Sequence, residues 1–133
     1  MKYLFDTNII IDFLRGKAGL EQKLAEGLRQ GFGVSSITLA ELYRGAYKSD
    51  RVNLNLKLIG DLIGLPEVKL LDFGRTEAQA GGELTGRLEK AGKKLSMGDA
   101  LIAATAKVNR LTILTEDKHF DRLTQFGIKV EIV

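Results

Sequence analysis

Five short apolar runs punctuate this chain: "KYLF" (2–5), "FGVSS" (32–36), "VKLLD" (68–72), "LTILT" (111–115) and "IKVEIV" (128–133). Between most of them lie longer segments whose apolar residues recur every three or four positions. Short runs bounded by Gly, Asp and Ser read as strands, and the segments between them as helices. Strands alternating with helices imply an α/β fold with a mainly parallel sheet, because parallel neighbours need a crossover, and right-handed crossovers place helices on both faces. In such sheets ligands sit beyond the carboxyl ends of the strands.

The helical segments follow from the same periodicity. "NIIIDFLRG" has Gly16 as its stop signal. Leu20, Leu24 and Leu28 share a face over 20–30. Further helices are expected over 38–47, over 76–91 with Leu84 and Leu88 inward, and over the alanine-rich "GDALIAATAKVN". "VNLNLKLIGDLIGL" fits two periods: Val52, Leu54, Leu56 and Leu58 alternate, while Leu58, Ile59, Leu62 and Leu65 fit a helix. Its length without a turn signal favours the helix.

Composition narrows the chemistry. With 133 residues and no compositional shift, a single domain over 1–133 is expected. The absence of cysteine removes thiol nucleophiles, disulfides and iron–sulfur sites, and one histidine removes any site needing two. Cysteine-free composition is that of a reducing, cytoplasmic setting. No run approaches the roughly 20 apolar residues of a membrane span, and the N-terminus, interrupted by Asp6 and Asp12, does not read as a signal peptide. A net charge of +3 is compatible with nucleic acid without requiring it. The stretch Gly81–Gly86 continues into Arg87 and Leu88, so it is no phosphate-binding P-loop, and nothing presents a serine to His119 as a catalytic triad would.

The remaining chemistry is carboxylate. Asp6 stands directly after the first strand, Glu41 one turn into the helix after the second, Asp99 in the first turn of "GDALIAATA", and Asp117 just past the fourth strand. Each has a structural alternative. Asp6 suits an N-cap, Thr38 and Glu41 have the spacing of a capping box, Ser96 and Asp99 repeat it, and Asp117 suits a turn cap. First-turn acids are favoured by the helix dipole whatever their function. Gathered at one sheet edge, however, four carboxylates repel and require a cation or protons. An all-oxygen donor set selects Mg2+ or Mn2+ over zinc and suits metal-assisted phosphodiester hydrolysis.

Taken in order, "FDTNIIIDFLRG", "SSITLAELYRGA", "GDALIAATA" and "ILTEDKHFDRL" resemble the PIN-domain ribonucleases, and among them the toxin subunits of VapBC-type toxin–antitoxin pairs. The resemblance runs from the first strand to about Leu123. It implies a three-layer α/β/α sandwich around a five-stranded sheet and a divalent-metal endoribonuclease acting on RNA. On this resemblance Asp6, Glu41, Asp99 and Asp117 match the acidic positions, with Glu116 as the rival for the fourth. Thr7, Asn8 and Thr115 match supporting polar positions. Arg15, Arg44, Lys48, Lys90, Lys93 and Lys94 are candidate phosphate contacts, each equally readable as part of a solvated face. A small antitoxin protein and a homodimer are the implied partners. Tyr43, Tyr47, Leu54 and Leu58 could line a partner groove, although core packing is the commoner fate of such residues.

Asp12 is expected in a salt bridge or on the surface, Asp72 as an N-cap for the following helix, and His119 in a plain surface or half-buried role. Three rivals remain at this stage. A receiver-like phosphoacceptor domain would want adjacent acids after the first strand and an acceptor aspartate after a central one, for which Asp72 is the only support. A haloacid-dehalogenase-like phosphatase would want an aspartate where Asn8 stands. A non-catalytic RNA-binding PIN domain would have lost acids that are all present here.

Overall fold

The computed structural model describes residues 1–17 and 19–133. In chain order its elements are β1 (Tyr3–Phe5), α1 (Thr7–Leu14), α2 (Glu21–Gln30), β2 (Phe32–Ser35), α3 (Ser36–Lys48), α4 (Val52–Ile63), β3 (Val68–Leu71), α5 (Arg75–Lys90), α6 (Met97–Val108), β4 (Thr112–Thr115), a stretch of 3-10 helix (Lys118–Phe126) and β5 (Val130–Ile132). The strands form one sheet in the order β3-β2-β1-β4-β5. Every pairing is parallel, with Tyr3 opposite both Phe32 and Thr112.

Period-two alternation sends neighbouring strand residues to opposite layers. Tyr3, Phe5, Phe32, Val34 and Leu114 pack against the layer of α1 to α4, through residues such as Ile9, Ile10, Leu24, Leu42, Ile59 and Leu62. Leu4, Leu71 and Ile113 pack against the layer of α5, α6 and the 3-10 helix, through Leu84, Leu88, Ile102, Phe120 and Leu123. The three-layer sandwich expected from the sequence is therefore present. In α6, Ala100, Ala103, Ala104 and Ala106 are completely buried. Their small side chains let α6 press closely on the sheet and on α5, where a Cβ at Gly81 would stand only 2.9 Å from Leu101 Cδ2.

The ambiguous segment is helix α4, with Ile59 and Leu62 inward. The alternation within it was misleading: Leu54 lies on the outer face and is 48% exposed. Gly16, at φ +70, ends α1 as its position suggested. The 3-10 stretch was not legible in the sequence as a helix. It is built from short i→i+3 turns rather than a long apolar period.

Two capping expectations are corrected. Asp72 does not cap α5. Gly74 does, and its N–H is met by the Glu77 carboxylate at 2.9 Å. Thr38 does not open α3. The helix begins two residues earlier, capped by Ser35, whose Oγ accepts from the Thr38 N–H at 2.9 Å. Asp72 is exposed at the end of β3, an outer strand, so the receiver-like reading loses its one support.

Sheet order fixes the place of the site. The chain steps outward from β1 to β2 and β3, then crosses back to lay β4 on the other flank of β1. The carboxyl ends of β1 and β4 thus flank the point where the winding reverses, where α/β sheets open a crevice.

Candidate metal centre at the sheet edge

Asp6 is the first residue beyond β1, and the sheet holds it there. Its N–H donates to the Leu114 carbonyl at 3.0 Å, continuing the ladder with β4. Its side chain caps α1, with Oδ1 accepting from the Thr7 N–H at 2.8 Å and Oδ2 accepting from the Thr115 hydroxyl at 2.9 Å. Asp6 is 3% exposed. Burial, with only these two bonds to offset it and the negative fields of Asp99 and Glu41 added, pushes its carboxyl up to about 6. The capping role and the site role are therefore not alternatives for Asp6.

Three other segments bring their acids to the same mouth. Glu41 follows the Ser35 cap of α3. Its Oε1 accepts from the Thr7 hydroxyl at 2.7 Å, and its Oε2 faces the first turn of α6, 3.4 Å from where a Cβ on Gly98 would be. Asp99 lies in that turn, its N–H donating to the Ser96 cap at 3.2 Å. Burial and the charges of Glu41 and Asp117 raise its carboxyl above the usual range. Asp117 caps the 3-10 helix, accepting from the His119 N–H at 2.8 Å, and its Oδ1 also meets His119 Nδ1 at 2.8 Å. The His119 N–H and ring hold Asp117 below the usual carboxylate range.

Glu116 lies beside Asp117 in one depression, its Oε1 buried and without a hydrogen-bond partner among the described residues. It is bound at 2.8 Å by Lys17, which also reaches Asp12 at 3.3 Å. That ion pair bears out the expectation for Asp12. His119 is exposed, as expected, but its contact with Asp117 was not foreseen.

The supporting residues divide. Thr115 donates to Asp6 and accepts from the Asp117 N–H at 3.0 Å, so one hydroxyl ties two acids together. Thr7 links the Asp6 segment to Glu41. Asn8 is exposed and lines a depression with Asp12, Arg15, Glu116 and Asp117. Arg15 also lines a second depression of about 210 Å³ bounded by Glu41, Leu42 and Leu58, so it flanks the acids on two sides. Lys93 and Lys94 stand on the α5–α6 connection shortly before Asp99, where the Arg122 guanidinium donates to the Lys94 carbonyl. Arg44 and Lys48 are exposed farther along α3. Ser35 and Thr38, both fully buried behind Glu41, escaped the sequence reading because Thr38 passed for a cap.

The acids are neighbours, not a closed cage. Among the described residues no three acidic or histidine side chains are drawn together tightly enough to hold an ion. The donor set nevertheless fits a hard divalent cation. All of it is oxygen, and the buried Asp6 carries an elevated pKa that a nearby positive charge would relieve.

Comparison with known proteins agrees with this geometry. The sequence pattern of the PIN domain matches residues 3–125. Ribonuclease VapC2 of Haemophilus influenzae is 33% identical over 127 residues, 92% of each chain. The tRNA(fMet)-specific endonuclease VapC of Shigella flexneri is 31% identical over 98% of this chain and 97% of its own. Among solved structures, VapBC2 of Rickettsia felis bound to a DNA fragment from its promoter superposes with a TM-score of 0.89 at 26% identity, covering 99% of this chain and 98% of that one. VapBC of Salmonella typhimurium, also DNA-bound, gives 0.87 at 27% over the same shares. With the fold and these relatives in agreement, the chain belongs to the PIN-domain family and to its VapC branch.

Proposed function

We propose that this chain is a divalent-metal-dependent endoribonuclease, the toxin of a type II toxin–antitoxin pair. The observation that carries the reading is Asp6: a carboxylate buried to 3% exposure at the sheet's switch point, its charge disfavoured by Asp99 and Glu41. Its cap and its bond with Thr115 stabilise the fold, but the burial of a charge beside other acids works against stability, and such perturbed groups concentrate at functional sites.

Asp6 and Asp99 would be the principal holders of Mg2+ or Mn2+, joined by Glu41, with Asp117 available for a second ion. When bound, such an ion neutralises phosphodiester charge and makes a water acidic enough to attack phosphorus. The protein's own part is orientation and proton handling. Thr115 fixes Asp6 relative to Asp117, and Thr7 occupies one oxygen of Glu41. The other oxygen, Glu41 Oε2, is left to take a proton from the attacking water. Asn8, at the rim, orients a water or a substrate oxygen. Arg15, which lines the depressions beside Glu41 and Asp117, together with Lys93 and Lys94 on the α5–α6 connection, would offset the repulsion between acids and RNA; Arg44 and Lys48, farther along α3, would extend the same basic rim.

A small antitoxin is the proposed partner, and a homodimer the proposed assembly. Tyr43, Tyr47 and Leu54 are 39%, 65% and 48% exposed, so of the two fates open to them they do not take core packing and are free to meet a partner. Half-buried Leu58 lines the depression between α1, α3 and α4 beside them. No helix is long and apolar enough to cross a membrane among the described residues. A cytoplasmic location belongs to the proposal.

The test is cleavage of structured RNA in Mg2+ or Mn2+. Cleavage should vanish with EDTA and in Asp99→Asn while the circular dichroism spectrum is unchanged. Cleavage that persists in EDTA would refute the reading.

A further inference from the structure

Buried hydroxyls need partners, and here four side chains stand in single file. Ser35 Oγ is 3.2 Å from Thr38 Oγ1, Thr38 Oγ1 is 3.0 Å from Thr7 Oγ1, and Thr7 Oγ1 is 2.7 Å from Glu41 Oε1. Each hydroxyl has one proton to give. A carboxylate only accepts, so the Thr7 proton goes to Glu41. The Thr7 oxygen must then receive, and the proton in reach is that of Thr38. The Thr38 oxygen in turn receives from Ser35, whose own oxygen accepts the Thr38 backbone N–H at 2.9 Å. The direction of every bond is fixed from the cap of α3 to the carboxylate.

The two ends of the file differ in freedom. Ser35 and Thr38 are completely buried, locked where β2 turns into α3. Glu41 is exposed, and a long exposed side chain keeps its rotamers unless something holds it. Among the described residues its one side-chain hydrogen bond is to Thr7. Thr38 and Glu41 lie three apart on α3, on neighbouring faces, yet they communicate through a residue of another helix.

We propose that Thr38 is a positioning residue for the site, holding Glu41 at the mouth through Thr7. It touches neither metal nor RNA. Its hydroxyl supplies the bond that orients the Thr7 proton toward Glu41. Valine would fill nearly the same space and break the file at its centre. This inference rests on the nuclease reading above, because it concerns Glu41 as a working group of that site.

The experiment measures Mn2+ affinity by electron paramagnetic resonance, beside kcat and KM for RNA. Thr38→Val should weaken Mn2+ binding about 10-fold, in the range found when second-layer partners of ligands are removed. The same variant should lower kcat with KM nearly unchanged. Thr38→Ser, which restores the hydroxyl, should behave as the wild type. In a Glu41→Ala background, adding Thr38→Val should change nothing, since no carboxylate remains to be held. Wild-type affinity and kcat in Thr38→Val would overturn the inference, as would an equal loss with and without Glu41. If Thr38→Val fails to fold, Thr7→Val cuts the last link and is read by the same criteria. A wild-type protein that neither binds Mn2+ nor cleaves RNA would instead bring down the nuclease reading itself.

Discussion

Asp6→Asn should stabilise the metal-free protein near neutral pH while abolishing cleavage. The Asp6 carboxyl is raised from an ordinary 3.8 to about 6 by its surroundings. A raised carboxyl means that the folded state holds its proton more tightly than the unfolded chain does. The associated stability is present below the unfolded value, near pH 3.8, and is lost as pH climbs to about 6. At 1.36 kcal/mol per unit, the ionised Asp6 costs the fold about 3 kcal/mol at pH 7.5 and only about 0.5 kcal/mol at pH 4. No discount for solvent applies at 3% exposure. Asparagine removes the charge but also changes the bond with Thr115, which returns about 1 kcal/mol of the gain. The net expectation is a variant about 2 kcal/mol more stable at pH 7.5, or a Tm higher by about 7 °C, reversing to about 0.5 kcal/mol less stable at pH 4, where the charge relief no longer offsets the lost bond.

The assay is thermal unfolding of both proteins in EDTA at the two pH values. Groups outside the field of Asp6, such as Asp117 with its opposite shift, cancel in the difference, while relief of Asp99 and Glu41 adds to the gain of the variant at pH 7.5. Mn2+ should then raise the Tm of the wild type, because it binds only the folded state, and leave the variant nearly unmoved. If Asp6→Asn is less stable than the wild type at pH 7.5, or if the gap between them is the same at both pH values, the electrostatic reasoning about this site is refuted.

Two further outcomes are expected. Gly27→Ala in α2 would ordinarily gain about 1 kcal/mol of helix propensity, but its Cβ would stand 2.7 Å from Phe5 Cζ, and that ring is stacked on Phe32 at a centroid distance of 4.2 Å. Overpacking wins, and urea unfolding should show a net loss of about 1–2 kcal/mol. Arg15→Ala should weaken RNA binding across sequences and reduce the slope of log K against log salt by about 0.7, the share of one single-strand phosphate contact; an unchanged slope would assign Arg15 to the solvated surface.

Much of this molecule could be read from its residues because the signals were local. Short apolar runs between amphipathic segments declare a parallel α/β sheet wherever they occur, since burial on both faces dictates them. Asp6 was conspicuous for the same reason: a charge set directly after a buried strand has few explanations. Where local signals were degenerate, the reading failed. Thr38 and Glu41 have the spacing of a capping box, yet Ser35 takes the cap and frees Thr38 for the hydroxyl file. Asp72 looked like a cap until Gly74 and Glu77 supplied one. The exposed Tyr43, Tyr47 and Leu54 carry no sequence mark that separates an outward apolar residue from a core one.

The sequence by itself determined the fold class and the likeness to PIN domains and singled out four candidate acids, because periodicity and residue chemistry are properties of neighbours along the chain. Only the tertiary structure decided which acids share a field and what each is bonded to. Lys17 pairs with Glu116, His119 occupies Asp117, Thr115 yokes Asp6 to the β4 end, and Thr38 reaches Glu41 through another helix. Those choices follow from distances between segments as many as 109 positions apart, as Asp6 and Thr115 are. Coulomb and hydrogen-bond energies depend on separation in space and contain no term for separation along the chain.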